Sequence, residues 1–146
     1  MDKPIYEFYG PIIEYRYAFL SISTEKQVIK VVRFSETEIE DTYNLVLLDI
    51  MPDGSESNDK TETKNKDMET VLATVIAIIT SFLHENPTWF IHIEGSDIKR
   101  KRVYQILINR EYTNLTTDYV IFGGNGDERE IFEKGKNYQY FIITKR

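Results

Sequence analysis

The sequence predicts an α+β fold, a mainly antiparallel sheet of about five to seven strands with two helices packed on it. Apolar runs typical of strands occupy the first third and the end of the chain. Two segments with apolar residues at helical spacing lie between them. The predicted order is therefore three or four strands, a helix, a strand, a second helix and two strands, in a single domain over residues 1–146.

The N-terminal strands are predicted from their residue patterns. Residues 15–19 alternate between aromatic and polar or small side chains, as in a half-buried strand. Residues 27–34 are rich in Val and Ile, and residues 43–50 are apolar on both faces, which favours a central position for the latter. The short run at residues 5–9, ended by Gly10-Pro11, is expected to add an edge strand.

The rest of the chain begins with a polar stretch, about residues 51–66, that has no hydrophobic periodicity. We expect a mobile surface loop there. A helix is expected over residues 67–85, because its apolar residues recur at helical spacing and Asn86-Pro87 ends the pattern. The remaining predicted elements are a strand at 89–93, a helix from near Asp97 to about 111, and strands at 119–122 and 138–144.

Composition excludes several classes of chemistry. The chain has no cysteine, so disulfides, thiolate metal sites, iron–sulfur clusters and cysteine nucleophiles are excluded. No apolar leader opens the sequence, and the longest apolar stretch, residues 71–83, is too short to cross a bilayer. We therefore expect a cytoplasmic protein without a membrane partner. No cofactor motif is recognisable, and none is predicted.

The most informative feature is a basic run, Lys99-Arg100-Lys101-Arg102, on a chain with a formal net charge of −6. It follows Gly95-Ser96-Asp97 and opens the second predicted helix, where free backbone amides favour anions. We predict an anion site formed by Ser96, Lys99 and Arg102, for a nucleic-acid backbone or a phosphorylated ligand. Arg100 falls within the apolar arc of that helix, so we expect it to form a structural ion pair.

Two other segments could suggest sites, but simpler interpretations suffice for them. The glycine-rich residues 123–127 lack the features of a phosphate-binding loop and predict a hairpin turn. The acidic run at residues 36–41 lacks the spacing of a calcium loop and is interpreted as a solvated connection.

The histidines predict no metal site. His84 and His92 are eight residues apart and have no nearby cluster of ligands. His92 and Glu94 share one face of a predicted strand and could form an acid–base pair, with Arg100 or Arg102 as an anion clamp. No catalytic residue is assigned, because no nucleophile, metal or cofactor motif is recognisable.

The sequence thus favours a small binding module over an enzyme. A protein-interaction or homodimerising subunit without ligand chemistry remains the alternative, because residues 1–94 carry a formal charge of −9 and residues 95–146 carry +3. An enzyme that uses His92 and Glu94 ranks third.

Short motifs along the whole chain resemble those of DUF6934, a family of short proteins of unknown function found mostly among the Bacteroidetes. The matching pieces are Tyr6-Glu7-Phe8, Tyr43-Asn44-Leu45, Val71-Leu72-Ala73-Thr74-Val75, Gly95-Ser96 followed by Arg100, Arg102 and Tyr104, and Phe132-Glu133-Lys134-Gly135 with Tyr138 and Phe141. The resemblance implies a bacterial, cytoplasmic, single-domain protein. It implies no particular activity.

Overall fold

The computed structural model describes residues 4–11, 15–22, 27–57, 67–94 and 98–146, except for the side chains of Ser57, Met68, Lys99, Arg100 and Val103. These residues form two helices and nine strands. The elements are β1 (Phe8–Tyr9), β2 (Arg16–Ile22), β3 (Gln27–Glu36), β4 (Thr42–Ile50), β5 (Glu56–Ser57), α1 (Met68–Glu85), β6 (Phe90–Ile93), α2 (Ile98–Asp118), β7 (Tyr119–Asn125), β8 (Glu128–Ile131) and β9 (Tyr140–Lys145).

The described strands form one sheet in the order β1-β2-β3-β4-β6-β9-β7-β8, with β5 paired to β4. All pairs are antiparallel except β4 and β6, which are parallel and are connected through α1. The predicted α+β class and the mainly antiparallel sheet are therefore confirmed. The strand number is higher than expected because β5 and β8 are short and polar, and their sequences resemble loops.

Both helices pack on one side of the sheet, which we call the core face. α1 is the central element, since its apolar side chains are almost all buried as predicted. Phe82 of α1 stacks on Phe34 of β3 with ring centroids 4.1 Å apart. The buried apolar residues of both helices and of the sheet form one hydrophobic core. The sheet contributes Tyr17, Phe19, Val32, Phe34, Tyr43, Leu47, Ile91, Ile93, Tyr119, Ile121, Phe141 and Ile143.

The opposite side of the sheet, which we call the open face, carries the alternate residues of the same strands. Neither described helix covers it, because both pack on the core face. Leu20, Ile22 and Ile29 on its outer strands are between 37% and 49% exposed. Phe90 and His92 lie on the inner part of the same face, since they alternate with the buried Ile91 and Ile93. The position of His92 on this face decides where a ligand can approach it.

α2 extends beyond its predicted end at residue 111 to Asp118. Leu115 continues the buried stripe of the helix by one more turn. The hydroxyls of Thr116 and Thr117 donate hydrogen bonds to the carbonyls of Tyr112 and Thr113, at 2.8 and 3.2 Å. Burial of Leu115 against the core keeps the last turns helical, although threonine hydroxyls that bond back to the helix backbone are slightly unfavourable within a helix.

The predicted polar loop at residues 51–66 is described in part. The Gly54 amide donates to the Met51 carbonyl and the Met51 amide donates to the Ser55 carbonyl, both at 2.8 Å, which forms a tight turn into β5. Residues 58–66 lie outside the described residues. Neither described helix is long and apolar enough to span a membrane.

Candidate ligand-binding cleft

The residues of the predicted anion site are only partly described. α2 begins at Ile98, next to the predicted start. Ser96 lies outside the described residues, as do the side chains of Lys99 and Arg100. The anion site and the Arg100 ion pair therefore stay predictions. Arg102 is exposed on α2.

A cleft of about 520 Å³ lies on the open face, where β4, β6 and β9 meet the β3–β4 hairpin. Its described lining contains apolar and aromatic side chains, three polar side chains, one histidine, one carboxylate and one guanidinium. These residues are Thr37, Ile39, Glu40, Thr42, Asn44, Phe90, His92, Arg129, Tyr140 and Ile142. A largely apolar concavity with a few polar groups is the usual form of a small-molecule site.

The floor of the cleft follows from the strand register. Asn44 of β4 pairs with His92 of β6, and His92 pairs with Ile142 of β9. Side chains at paired positions point to the same face, so these three lie side by side across the sheet. Phe90 lies two residues before His92 and extends the floor along β6.

Tyr140 forms part of the floor because Gly124 leaves room for its ring. The two residues pair across β9 and β7. A Cβ atom on residue 124 would lie only 2.0 Å from Cζ of Tyr140. The Tyr140 hydroxyl donates to the carbonyl of Gly126 at 3.1 Å, and its ring centroid lies 5.0 Å from that of His92. A glycine inside a strand often marks such a close approach.

His92 is a half-buried imidazole inside the cleft. Burial lowers the pKa of His92 below its ordinary value, Glu94 opposes this shift, and the positive charge of Arg129 adds to it. The Nε2 atom of His92 lies 3.9 Å from Oε1 of Glu94, whose side chain is 52% exposed. The expected shared face is confirmed. At neutral pH the imidazole is therefore uncharged, with one donor and one acceptor nitrogen.

Arg129 brings a positive charge to the cleft. It lies on β8 opposite Gly124, and its side chain lines the cleft. No hydrogen bond or ion pair joins its guanidinium to another residue within the described part of the chain. An arginine with free donors suits a carboxylate or phosphate group.

The β3–β4 hairpin forms the opposite wall and brings Glu40 to the cleft. The Thr37 hydroxyl donates to the carbonyls of Ile39 and Thr42 at 3.0 and 2.8 Å, and accepts from the Ile39 amide at 3.1 Å. These bonds hold the hairpin tip in one conformation. The acidic run is thus a solvated connection, as expected, and one of its carboxylates also lines the cleft.

The arginine that lies near His92 is Arg129, whereas the sequence predicts Arg100 or Arg102 as the anion clamp of a His92 enzyme. Arg102 lies on α2, which packs on the core face, whereas His92 points to the open face. Arg129 is the described arginine that lines the cleft with His92. The arrangement offers hydrogen bonding, stacking and charge at one place, which suits binding.

Sequence reasoning missed Arg129, Glu40 and Tyr140 as site residues. Arg129 lies in a run of charged residues, 127–130, whose sequence is typical of solvated surface, and Glu40 lies in the acidic run at residues 36–41. The two adjacent glycines at 123 and 124 were the available signal, because glycines within a strand indicate an approaching side chain. The sequence pattern alone predicts only a hairpin turn at these glycines, and the β7–β8 connection confirms that turn.

The comparisons with known proteins agree with the resemblance seen in the sequence. No curated protein and no solved structure matches the chain. The family of unknown function DUF6934 matches residues 2–146, which is nearly the entire chain. The protein therefore belongs to the DUF6934 family.

Proposed function

We propose that the protein is a small-molecule-binding module that holds its ligand in the open-face cleft. The observation that carries the proposal is Arg129, whose guanidinium bonds to no other described residue and lies beside an aromatic and apolar floor. A ligand with an apolar body and an anionic group would lie on Phe90 and Tyr140 and place its anion at Arg129. The cleft volume of about 520 Å³ suits a molecule of drug or metabolite size.

Binding is favoured over catalysis by the residues that line the cleft. His92 is the group there that could transfer a proton at neutral pH, and its neighbour Tyr140 is bonded to a backbone carbonyl. Acid–base catalysis with Glu94 would need a substrate at the rim, because Glu94 is not among the described residues lining the cleft. The His92 enzyme therefore stays the lower-ranked alternative.

A screen of small carboxylates and phosphates with apolar bodies tests this proposal. Binding is detected by ligand-observed NMR and by the change in melting temperature. We expect Arg129→Gln to weaken binding by about tenfold to hundredfold, the range for a lost hydrogen bond to a charged group, and added salt to weaken it as well. Arg102→Gln is the matched variant on the other side of the sheet and should leave this binding unchanged.

The screen also tests the anion site at Ser96, Lys99 and Arg102. That second candidate is supported by the exposure of Arg102 near the start of α2. It predicts the reverse result, in which Arg102→Gln weakens binding of a phosphorylated ligand or nucleic acid and Arg129→Gln does not. That reversal, or a screen without any bound compound, would contradict the cleft proposal.

A role as a homodimerising or protein-interaction subunit remains the third candidate. Its support is the exposed apolar group on the outer open face, Leu20, Ile22 and Ile29. Light scattering checks it, because a monomer at all accessible concentrations would contradict a homodimer. The cytoplasmic location, the bacterial origin and the absence of a membrane partner stay predictions from the sequence.

A further inference from the structure

We infer that the ligand of the cleft is zwitterionic, with an anionic group at one end, a cationic group at the other and an apolar body between them. This inference rests on the proposed function and specifies its ligand class. It follows from the second charge in the cleft, the carboxylate of Glu40.

The two charges stand at opposite ends of the cleft. Glu40 belongs to the hairpin that leads into β4, and Arg129 belongs to β8. β6, β9 and β7 lie between those strands. At about 4.8 Å per strand, the backbones of β4 and β8 are roughly 19 Å apart, so the two side chains line the cleft from opposite sides.

Each charge is available to a ligand. Like the guanidinium of Arg129, the carboxylate of Glu40 forms no ion pair with another described residue. Both residues are exposed, and no ion pair joins the two within the described residues. The cleft is therefore positive at the β8 end and negative at the hairpin end, which complements a ligand of the opposite polarity.

The middle of the cleft suits an uncharged body. Ile39, Phe90 and Ile142 provide apolar surface, and the Tyr140 ring provides a flat stacking surface. The imidazole of His92 lies between the two ends and is uncharged at neutral pH. A second charge in the middle of the ligand would find no opposite charge there among the described lining residues.

A purely anionic ligand fits this arrangement less well. Its anion would meet Arg129, but its other end would leave the Glu40 carboxylate against an apolar body. A cationic end would instead form a partly exposed ion pair with that carboxylate. The inference therefore predicts that affinity depends on both charges of the ligand and on both side chains.

Three probes of one chain length separate these contributions, 8-aminooctanoate, octanoate and octylamine. Amide NMR spectra of the ¹⁵N-labelled protein give a dissociation constant for each probe at low salt. We expect 8-aminooctanoate to bind at least about threefold more tightly than either singly charged probe, the scale of a partly exposed ion pair. The shifts should centre on His92 and Tyr140.

Variants that remove one charge show which side chain binds each charged end of the probe. Glu40→Gln should abolish the advantage of 8-aminooctanoate over octanoate, and Arg129→Gln should abolish its advantage over octylamine. The matched controls are Glu38→Gln on the same hairpin and Lys134→Gln, both exposed and both outside the described lining. Spectra of the free variants verify that each one folds.

The outcomes are distinguishable. Equal affinity for octanoate and 8-aminooctanoate, unchanged by Glu40→Gln, would overturn the zwitterionic class and leave the anion-binding cleft standing. Tightest binding by octylamine would also overturn the zwitterionic class. If no probe shifts the cleft residues, both the ligand class and the proposed function are overturned.

Discussion

The ring of Tyr140 lies across Gly124 of the neighbouring strand, at a separation that no side chain on residue 124 could occupy. This contact places the tyrosine flat on the open face and next to the imidazole of His92. The floor of the cleft thus depends on a glycine that does not line it.

Gly124→Ala should displace the Tyr140 ring. The added Cβ would meet the far end of the Tyr140 ring, which is held there by one exposed hydroxyl bond to the Gly126 carbonyl. Because the ring can swing outward for the loss of that single bond, we expect a loss of only about 1 kcal/mol in unfolding free energy, at the low end for overpacking. Urea denaturation measures the loss, and the His92 ring signals in NMR report the displacement. In a Tyr140→Ala background the same substitution should cost nothing, and a cost that persists there would contradict this contact as the cause.

Gly123→Ala is the contrasting substitution on the core face. Its Cβ would lie 2.4 Å from Cγ and Cδ1 of Tyr138, close to the base of a buried ring. The Tyr138 hydroxyl donates to Glu130 at 2.8 Å and accepts from the Glu133 amide at 3.0 Å, so the ring cannot swing away freely. We expect a loss of about 3 kcal/mol, the upper range for overpacking. A loss smaller than that of Gly124→Ala would contradict this prediction.

Lys30 and Asp49 form a buried ion pair on the core face. Lys30 Nζ donates to Asp49 Oδ1 at 2.6 Å, and the two side chains are 2% and 6% exposed. Asp49→Asn leaves an unpaired buried ammonium, so we expect a loss of about 3–5 kcal/mol in unfolding free energy.

The double variant Lys30→Met/Asp49→Leu tests the cause of that loss. Because it removes both charges, its stability should return to within about 1–2 kcal/mol of the natural protein. Arg110→Gln, at an exposed pair with Glu69, is the control and should cost less than about 1 kcal/mol. If Asp49→Asn cost no more than Arg110→Gln, the buried pair would not contribute as described.

His92 should make stability depend on pH. Its pKa is lower in the folded protein than the ordinary value of 6.5, so the unfolded chain binds more protons between these two values. The contribution of His92 is therefore complete above about pH 6.5 and is lost as the pH falls through the lowered pKa. Urea denaturation between pH 5 and 8 measures it. His92→Gln should reduce the fall in unfolding free energy between pH 6.5 and pH 5. If that fall is the same in the variant, groups other than His92 cause it.

Gln105 should stabilise the segment that leads into β9. Its amide Nε2 donates to the Lys136 carbonyl at 2.8 Å, and its Oε1 accepts from the Tyr138 amide at 3.1 Å. Gln105→Leu leaves both backbone groups without these partners, so we expect a loss of about 1–3 kcal/mol. Gln139→Leu, at an exposed position, is a milder control. Equal losses from the two variants would contradict the role of burial.

Gln105 is a residue of α2 whose burial the helical pattern of the sequence does not predict. The pattern predicts Gln105 on the solvent side of the helix and Ile106 on the apolar side. The structure reverses both, since Gln105 is buried and Ile106 is 44% exposed. The backbone groups that form hydrogen bonds with the Gln105 side chain lie about thirty residues away in the chain, so no local pattern could indicate them.

Elements with strong local periodicity were predicted well. α1 begins and ends within one residue of its expected bounds, because its apolar residues recur at helical spacing over the whole length. The cleft could not be predicted in this way. Glu40, His92 and Arg129 come together only through the strand order, in which β9 lies between β6 and β7. Pairing of distant strands depends on tertiary contacts that a sequence pattern does not contain.

The most direct test of the central claim is the map of amide NMR shifts that 8-aminooctanoate causes in the natural protein. Binding in the open-face cleft predicts shifts at Thr42, Asn44, His92, Tyr140 and Ile142, with the amides of Lys101 and Arg102 unchanged. Shifts centred on Lys101 and Arg102, with the cleft residues unchanged, would contradict it and would favour the start of α2 as the site.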